Sequence, residues 1–107
     1  MIITVIDTET TGLDNSIHEV IEIAAISYEI QENGEKKIIN SINQKLKPAK
    51  FHTADAKALE VNGYTEEAWK DATDFLSIWR PLGEILDKSD ILLGQNLIFD
   101  LRFIQSE

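Results

Sequence analysis

The chain has 107 residues, 43% of them apolar and 27% charged, which is enough for one hydrophobic core and too little for two independent domains. Nineteen acidic residues against ten basic ones leave a net charge of −9, which excludes a protein that grips long nucleic acid through bulk positive charge. The absence of cysteine excludes disulfides and thiolate metal sites, so any metal must be held by oxygen or imidazole.

Residues 1–35 hold eight acids and no Lys or Arg, a segment that invites cations. Between 36 and 57 the balance reverses, with Lys36, Lys37, Lys45, Lys47, Lys50 and Lys57 facing only Asp55. Lys36 and Lys37 read as solvated surface beside a turn, whereas Lys45, Lys47, Lys50 and Lys57 divide evenly between solvated surface and a phosphate-facing role. No basic leader precedes Asp7, and no apolar run approaches the roughly 20 residues of a membrane span. The expected setting is the cytoplasm, with no membrane partner.

In chain order, Ile2 to Ile6 is apolar on both faces and rich in β-branched residues, which predicts a strand buried between two layers and ending at Asp7. Val20 to Ile30 and Lys37 to Leu46 are two further strands. Asn33-Gly34 between them is a hairpin signal, so they should pair antiparallel. Thr53 is placed to cap a short helix through Leu59, stopped by Gly63. Phe75, Ile78, Trp79, Leu82, Ile85 and Leu86 recur at three- and four-residue steps, predicting an amphipathic helix with its stripe in the core and a kink at Pro81. Ile91 to Leu93 reads as a short buried strand, after which Gly94 and Gln95 turn the chain and Asn96 caps a last helix through Phe99, Leu101 and Phe103.

Two features carry chemistry. Asp7 and Glu9 stand two apart on a strand and should therefore face the same side. Two ionised carboxylates about 4 Å apart repel by roughly 4 kcal/mol at an effective dielectric constant of about 20, so one protonates or a cation sits between them. Magnesium or manganese, hard cations that prefer oxygen, suit the pair. The plainer alternative is an acidic strand end beginning a turn. Asp100, in the first turn of the last helix, is explained equally by dipole compensation worth about 0.3–1 kcal/mol. If the 91–93 strand runs parallel to the first, however, Asp100 emerges at the same carboxyl edge as Asp7 and Glu9, and three carboxylates converge.

In order and spacing, Asp7-Thr8-Glu9-Thr10-Thr11-Gly12-Leu13, Val20-Ile21-Glu22-Ile23-Ala24-Ala25, Asn62-Gly63, and Asn96 with Phe99-Asp100 make a pattern that resembles the DEDD superfamily of 3'-5' exonucleases, in particular the DnaQ-like, proofreading-subunit type. The resemblance implies an α/β, RNase H-like fold: a mixed sheet with an antiparallel hairpin and a parallel strand, flanked by helices. It implies a metal-dependent enzyme that removes nucleotides from single-stranded 3' ends of DNA or RNA with two Mg²⁺ or Mn²⁺ ions, in company with a DNA polymerase or another replication or repair protein.

By the same resemblance, Asp7 would bridge both metals, Glu9 would complete one site and Asp100 would hold the second. Two such ions roughly 3.5–4 Å apart clamp the attacking water and the leaving 3'-oxygen. Thr10, Thr11, Gly12 and Leu13 would cradle the terminal nucleotide, Phe99 would pack beneath the site or against a base, and Asn96 would fix the turn. Asn62 stands where many relatives carry a His that contacts the nucleotide, and Lys57 where the proofreading subunit has an acid. Glu22 is given a structural role, while His18 and His52 match no family position and read as surface histidines. Residues 1–107 would be the N-terminal part of one exonuclease domain, incomplete at the C-terminus. They carry the first two family motifs and lack the third, which supplies a His or Tyr and a fourth carboxylate, so this piece alone would be inactive.

Two rivals remain open. One is a metal- or nucleotide-binding interaction module without turnover. The other is an Asp-nucleophile phosphatase of the haloacid-dehalogenase type, against which stand Glu9 in the place of a second Asp and a hairpin in the place of a helix.

Overall fold

The hairpin predicted at Asn33-Gly34 is the largest local feature of the computed structural model, which describes residues 1–107. Strand β2 (Val20–Ile30) and strand β3 (Lys36–Lys45) pair antiparallel around it, with Gly34 at φ 83°, a conformation that costs glycine little. Strand β1 (Ile2–Thr10) pairs antiparallel with β2 on its other edge, and the short β4 (Ile91–Leu93) pairs parallel with β1, giving the order β3-β2-β1-β4. This is the expected mixed sheet. The far half of the hairpin, residues 31–41, is exposed throughout, and the molecule is accordingly elongated, 49 × 26 × 24 Å.

The helices are α1 (Ala56–Val61), α2 (Leu76–Lys88) and α3 (Leu97–Ser106), with a 3-10 turn at Phe51–Thr53. Ile78, Leu82 and Ile85 of α2 and Phe103 and Ile104 of α3 pack with Ile6, Val20, Ile23, Ala25 and Leu46 into one core. Burial of side chains of this size stabilises by about 1.5–3 kcal/mol each. Thr4 and Ser27, paired across β1 and β2, are also buried on this side, and their hydroxyls bond each other at 2.7 Å. A smaller cluster of Ile21, Trp69 and Ala72 anchors the α1–α2 connection, where the Trp69 indole donates to the Ile21 carbonyl at 2.9 Å.

Several expectations are corrected. β1 is not buried on both faces: Thr4, Ile6, Thr8 and Thr10 point into the core, while Val5 and Asp7 lie on an open face. It also continues to Thr10, so Asp7 and Glu9 sit within the strand rather than at its end. β4 is likewise open on one side, with Ile91 and Leu93 exposed beside Ile3 and Val5. Asp55, not Thr53, caps α1, its carboxylate accepting from the Lys57 amide at 2.9 Å, and Thr53 belongs to the 3-10 turn. Trp79 leaves the α2 stripe at 54% exposure, because it stands at the margin of the buried arc set by Ile78, Leu82 and Ile85. Helix α2 runs through Pro81 as one element, α3 begins at Asn96 without a side-chain cap, and β3 starts and ends one residue earlier than expected.

Candidate active site

Alternation along β1 sends Asp7 and Glu9 to the open face of the sheet and Thr8 to the helical face between them. Parallel pairing of Val5 with Leu93 brings the turn after β4 level with Asp7, and α3 starts there. Gly94 makes this approach possible: a Cβ on it would lie 2.9 Å from the Ile6 carbonyl oxygen and 3.5 Å from Asp100 Oδ2. Asp100 is thereby delivered to β1, where Thr8 donates its hydroxyl to Asp100 Oδ1. Asp100 itself is buried.

The three acids feel one another. Burial, and then the charges of Asp7, Glu22 and Asp100, push the Glu9 carboxyl above its ordinary value. Burial also raises Asp100, with Asp7 adding to the shift and the Thr8 hydroxyl opposing it. Glu22 faces Glu9 directly across β1 and β2, and its carboxylate is paired with Lys45 at 3.1 Å, Lys45 lying 5.0 Å from the Trp69 ring centre. Asp7, Glu9, Glu22, Ala24 and Asn43 line a cavity of about 230 Å³ on the open face.

All donors here are hard carboxylate oxygens, and their mutual repulsion is the kind a divalent cation relieves, so the residues fit Mg²⁺ or Mn²⁺ by chemistry. No three Asp, Glu or His side chains stand together as a ready chelate, however. The edge brings Asp7, Glu9 and Asp100 into electrostatic reach without closing them on a common point.

Glu9 also opens onto a second cavity of about 340 Å³, lined by Thr8, Thr10, Gly12, Leu13, Asp55, Lys57, Ala58, Val61, Asn62 and Phe99. Most of the residues expected to hold a nucleotide meet here. Leu13 is 85% exposed and contributes apolar lining, as does Phe99, which is half-buried and tilted against Phe103 with ring centres 4.7 Å apart. Thr10 donates to the Gly12 carbonyl at 2.6 Å, and the Asn62 amide donates to the Thr10 carbonyl at 2.8 Å, so Asn62 ties α1 to the loop. Thr11 is fully buried and turned away, its hydroxyl accepting from the Glu19 amide at 3.1 Å. Asn96 lies on a neighbouring cavity with Asn15, Ile98 and Arg102.

Sequence reasoning missed what supports these walls. Glu19, counted only as one acid of an acidic segment, is 4% exposed, and its two oxygens accept from the amides of Ala49 and Lys50 at 2.7 and 2.6 Å. Thr11 continues the strap: its amide donates to the Glu19 carbonyl at 2.9 Å and its carbonyl accepts from Asp55 at 2.7 Å. His18 is not a free surface residue. Its ring lies where a Cβ on Gly12 would be, and its Nδ1 accepts from the Asp14 amide at 3.1 Å, so Gly12 is required by His18 packing. The only local signal for Glu19 was an acid directly before an apolar strand.

Comparison with known proteins gives a concordant picture. The RNase T family, described as exonuclease, matches residues 4–107. The chain is 32% identical over 103 residues to the PolC-type DNA polymerase III of Thermotoga petrophila, covering 94% of this chain and 7% of that polymerase. The PolC-type polymerase of Bacillus subtilis is 32% identical over 100 residues, with 94% of this chain and 6% of the polymerase covered. The chain thus spans a small fraction of the curated relatives it matches. Among solved structures, E. coli Exonuclease I in complex with a dA13 oligonucleotide superposes with a TM-score of 0.75 at 19% identity, over 95% of this chain and 22% of that one. A full-length 3'-exonuclease gives 0.62 at 19% identity, over 87% and 33%. These two likenesses carry the fold.

Proposed function

The chain belongs to the RNase T family of exonucleases, and from that premise we propose that it is the metal-dependent part of a 3'-5' exonuclease acting on single-stranded ends of DNA or RNA. The observation that carries the reading is the delivery of Asp100 by the β4–α3 turn to Thr8, on the strand that presents Asp7 and Glu9. Asp7, Glu9 and Asp100 would hold two Mg²⁺ or Mn²⁺ ions. Bound there, such ions supply Lewis-acid activation of water and neutralise the leaving 3'-oxygen.

The chain's own residues do the remaining work. The cavity of Thr10, Gly12, Leu13 and Phe99 orients the terminal nucleotide beside Glu9, with apolar walls suited to the two faces of a base. Asn62 and the Thr11–Asp55 bond keep the loop and α1 at a fixed spacing. Thr8 holds Asp100 by its Oδ1 oxygen. Neither His18 nor His52 lines the two cavities that meet at Glu9, so nothing imidazole-based within these residues serves as a base for the attacking water. The 107-residue chain is therefore expected to bind metal and nucleotide but to turn over little by itself. Covalent continuity with a DNA polymerase, or association with one, fits the PolC-type relatives.

Manganese binding to the 107-residue chain, followed by calorimetry, tests the site. Asp7→Ala and Asp100→Ala should each weaken it by about tenfold or more. A longer form carrying H-x-x-x-x-D or Y-x-x-x-D should shorten a 5'-labelled strand from its 3' end with Mn²⁺. Unchanged digestion by the Asp7→Ala form would end the reading. Magnesium binding with no product from the longer form would favour a binding module, and release of phosphate from p-nitrophenyl phosphate without nuclease activity would favour a phosphatase.

A further inference from the structure

We propose that the free edge of β3 takes up an extended segment of a partner protein as an added strand, the segment being apolar in its middle and acidic at its ends. The proposal is independent of the nuclease reading, because no acid of β1 or α3 takes part in it.

β3 is the outermost strand of the sheet, and only its end is covered. There Leu46 forms a single parallel bridge with Thr73, whose amide donates to the Lys45 carbonyl at 3.2 Å and whose carbonyl accepts from the Lys47 amide at 2.7 Å. These bonds fix which backbone groups face away from β2. The Leu46 amide donates to the Ile21 carbonyl at 2.8 Å, so alternation turns the N–H and C=O groups of Asn43 and Ser41 outward. Ile39 is an extra residue opposite the Ser27–Tyr28 step and shifts the alternation by one. Beyond it, the Gln31 amide donates to the Glu35 carbonyl at 2.9 Å, which leaves Ile38 and Lys36 facing outward. The Ser41 amide meets only the neighbouring Asn40 side chain, at 2.9 Å. Residues 36–41 are exposed, Ile38 at 61% and Ile39 at 40%. A long edge of unpaired backbone groups with exposed apolar side chains is a template for another strand.

Charge selects the occupant. Lys36, Lys37, Lys45, Lys47 and Lys50 stand on or just after β3 with no acid among residues 36–50, so all nineteen acids of the chain lie elsewhere. Lys45 is paired with Glu22, which leaves Lys36 and Lys37 at one end of the edge and Lys47 at the other to receive acids, with Ile38 and Ile39 between. A second copy suits the edge poorly: two β3 strands pairing antiparallel about Ser41 would set Lys37 against Lys45, and like charges directly opposite destabilise. Nucleic acid suits it poorly as well, because phosphates only accept hydrogen bonds and would leave the outward carbonyls without partners. An extended peptide satisfies donors and acceptors alike.

The test uses the 107-residue chain in EDTA with a blocked peptide of sequence Glu-Asp-Val-Thr-Val-Thr-Asp-Glu, followed through the amide resonances of β3. The peptide should shift the outward amides of Ile38, Ser41 and Asn43 and slow their hydrogen exchange. It should bind about fivefold more tightly than its counterpart with lysine ends, and added salt should narrow the gap. Lys36→Glu combined with Lys37→Glu should reverse that preference, and N-methylation of the peptide's middle amides should abolish binding. The proposal fails if about millimolar peptide leaves these amides unmoved, if binding survives N-methylation, or if the preference for acidic ends survives the two charge reversals. Oligothymidylate moving the same amides while the peptide does not would make the edge a nucleic-acid surface, and concentration-dependent shifts there in the free protein would make it a contact between copies. Either result overturns the proposal, and none of these outcomes depends on whether Asp7→Ala abolishes manganese binding.

Discussion

Glu9 carries the most strained charge of the site, because burial and three surrounding carboxylates act on it together. In the metal-free protein its folded pKa lies above the unfolded one, so its contribution to stability is intact below about pH 4.5 and is lost as pH rises through the higher folded value. Glu9→Gln cannot ionise and escapes that loss. In EDTA at about pH 7 the variant should melt above the parent by no more than about 2 °C, since the group is only partly buried, and the difference should vanish at about pH 4. Metal reverses the ranking. A cation that displaces the proton from Glu9 binds more tightly as pH rises, and the affinity levels off above the folded value of the carboxyl. Thermal melts with and without Mn²⁺ at several pH values check both signs. A Glu9→Gln form that melts below the parent in EDTA at neutral pH would show that no carboxylate repulsion is stored there.

Two turns decide how the elements meet at the site. Glu19 offers both carboxylate oxygens to amides thirty residues away, and removing it leaves two inward-facing donors without partners. Glu19→Ala should cost about 2–4 kcal/mol in urea unfolding and remove hydrogen-exchange protection from Thr11 and Asp55, while Glu19→Gln, which keeps one acceptor, should cost about half as much. A loss under about 0.5 kcal/mol would mean that the strap contributes no more than an ordinary surface contact. Gly94→Ala tests the other turn. Its Cβ would press on the rigid Ile6 carbonyl, so β4 and α3 must shift, at a cost of about 1–3 kcal/mol, and Asp100 shifts with them. Manganese affinity should fall together with stability. These turns also show where the sequence is legible. The hairpin at Asn33-Gly34 and the inward stripe of Ile78, Leu82 and Ile85 are local patterns and were read correctly. Asp7, Glu9 and Asp100 could be placed at one edge because strand parity and a parallel pairing are simple rules. Glu19 and the Thr8 bond to Asp100 join distant positions with no period between them, and the open face of β1 could not be told from a buried one while Val5, Ile3 and Ile6 are equally apolar.

At the scale of the whole molecule, a net charge of −9 spread over an elongated body of 107 residues makes the folded state repel itself, and any cation relieves this in part. General screening and occupancy of a site differ in concentration. Sodium chloride acts through a Debye length of about 10 Å at 0.1 M and should raise the melting temperature gradually, because it treats all nineteen acids alike. Manganese held by Asp7, Glu9 and Asp100 instead stabilises by mass action, about 2.7 kcal/mol at a hundred times its dissociation constant, which for a domain of this size is about 10 °C or more. At millimolar manganese the rise should therefore exceed that given by sodium chloride of the same ionic strength, and EDTA should reverse it. Asp7→Ala should flatten the manganese curve while leaving the sodium curve in place. If manganese and sodium chloride of matched ionic strength raise the melting temperature equally, the cation acts on the surface field alone, and the acids on β1 and α3 do not form a binding site.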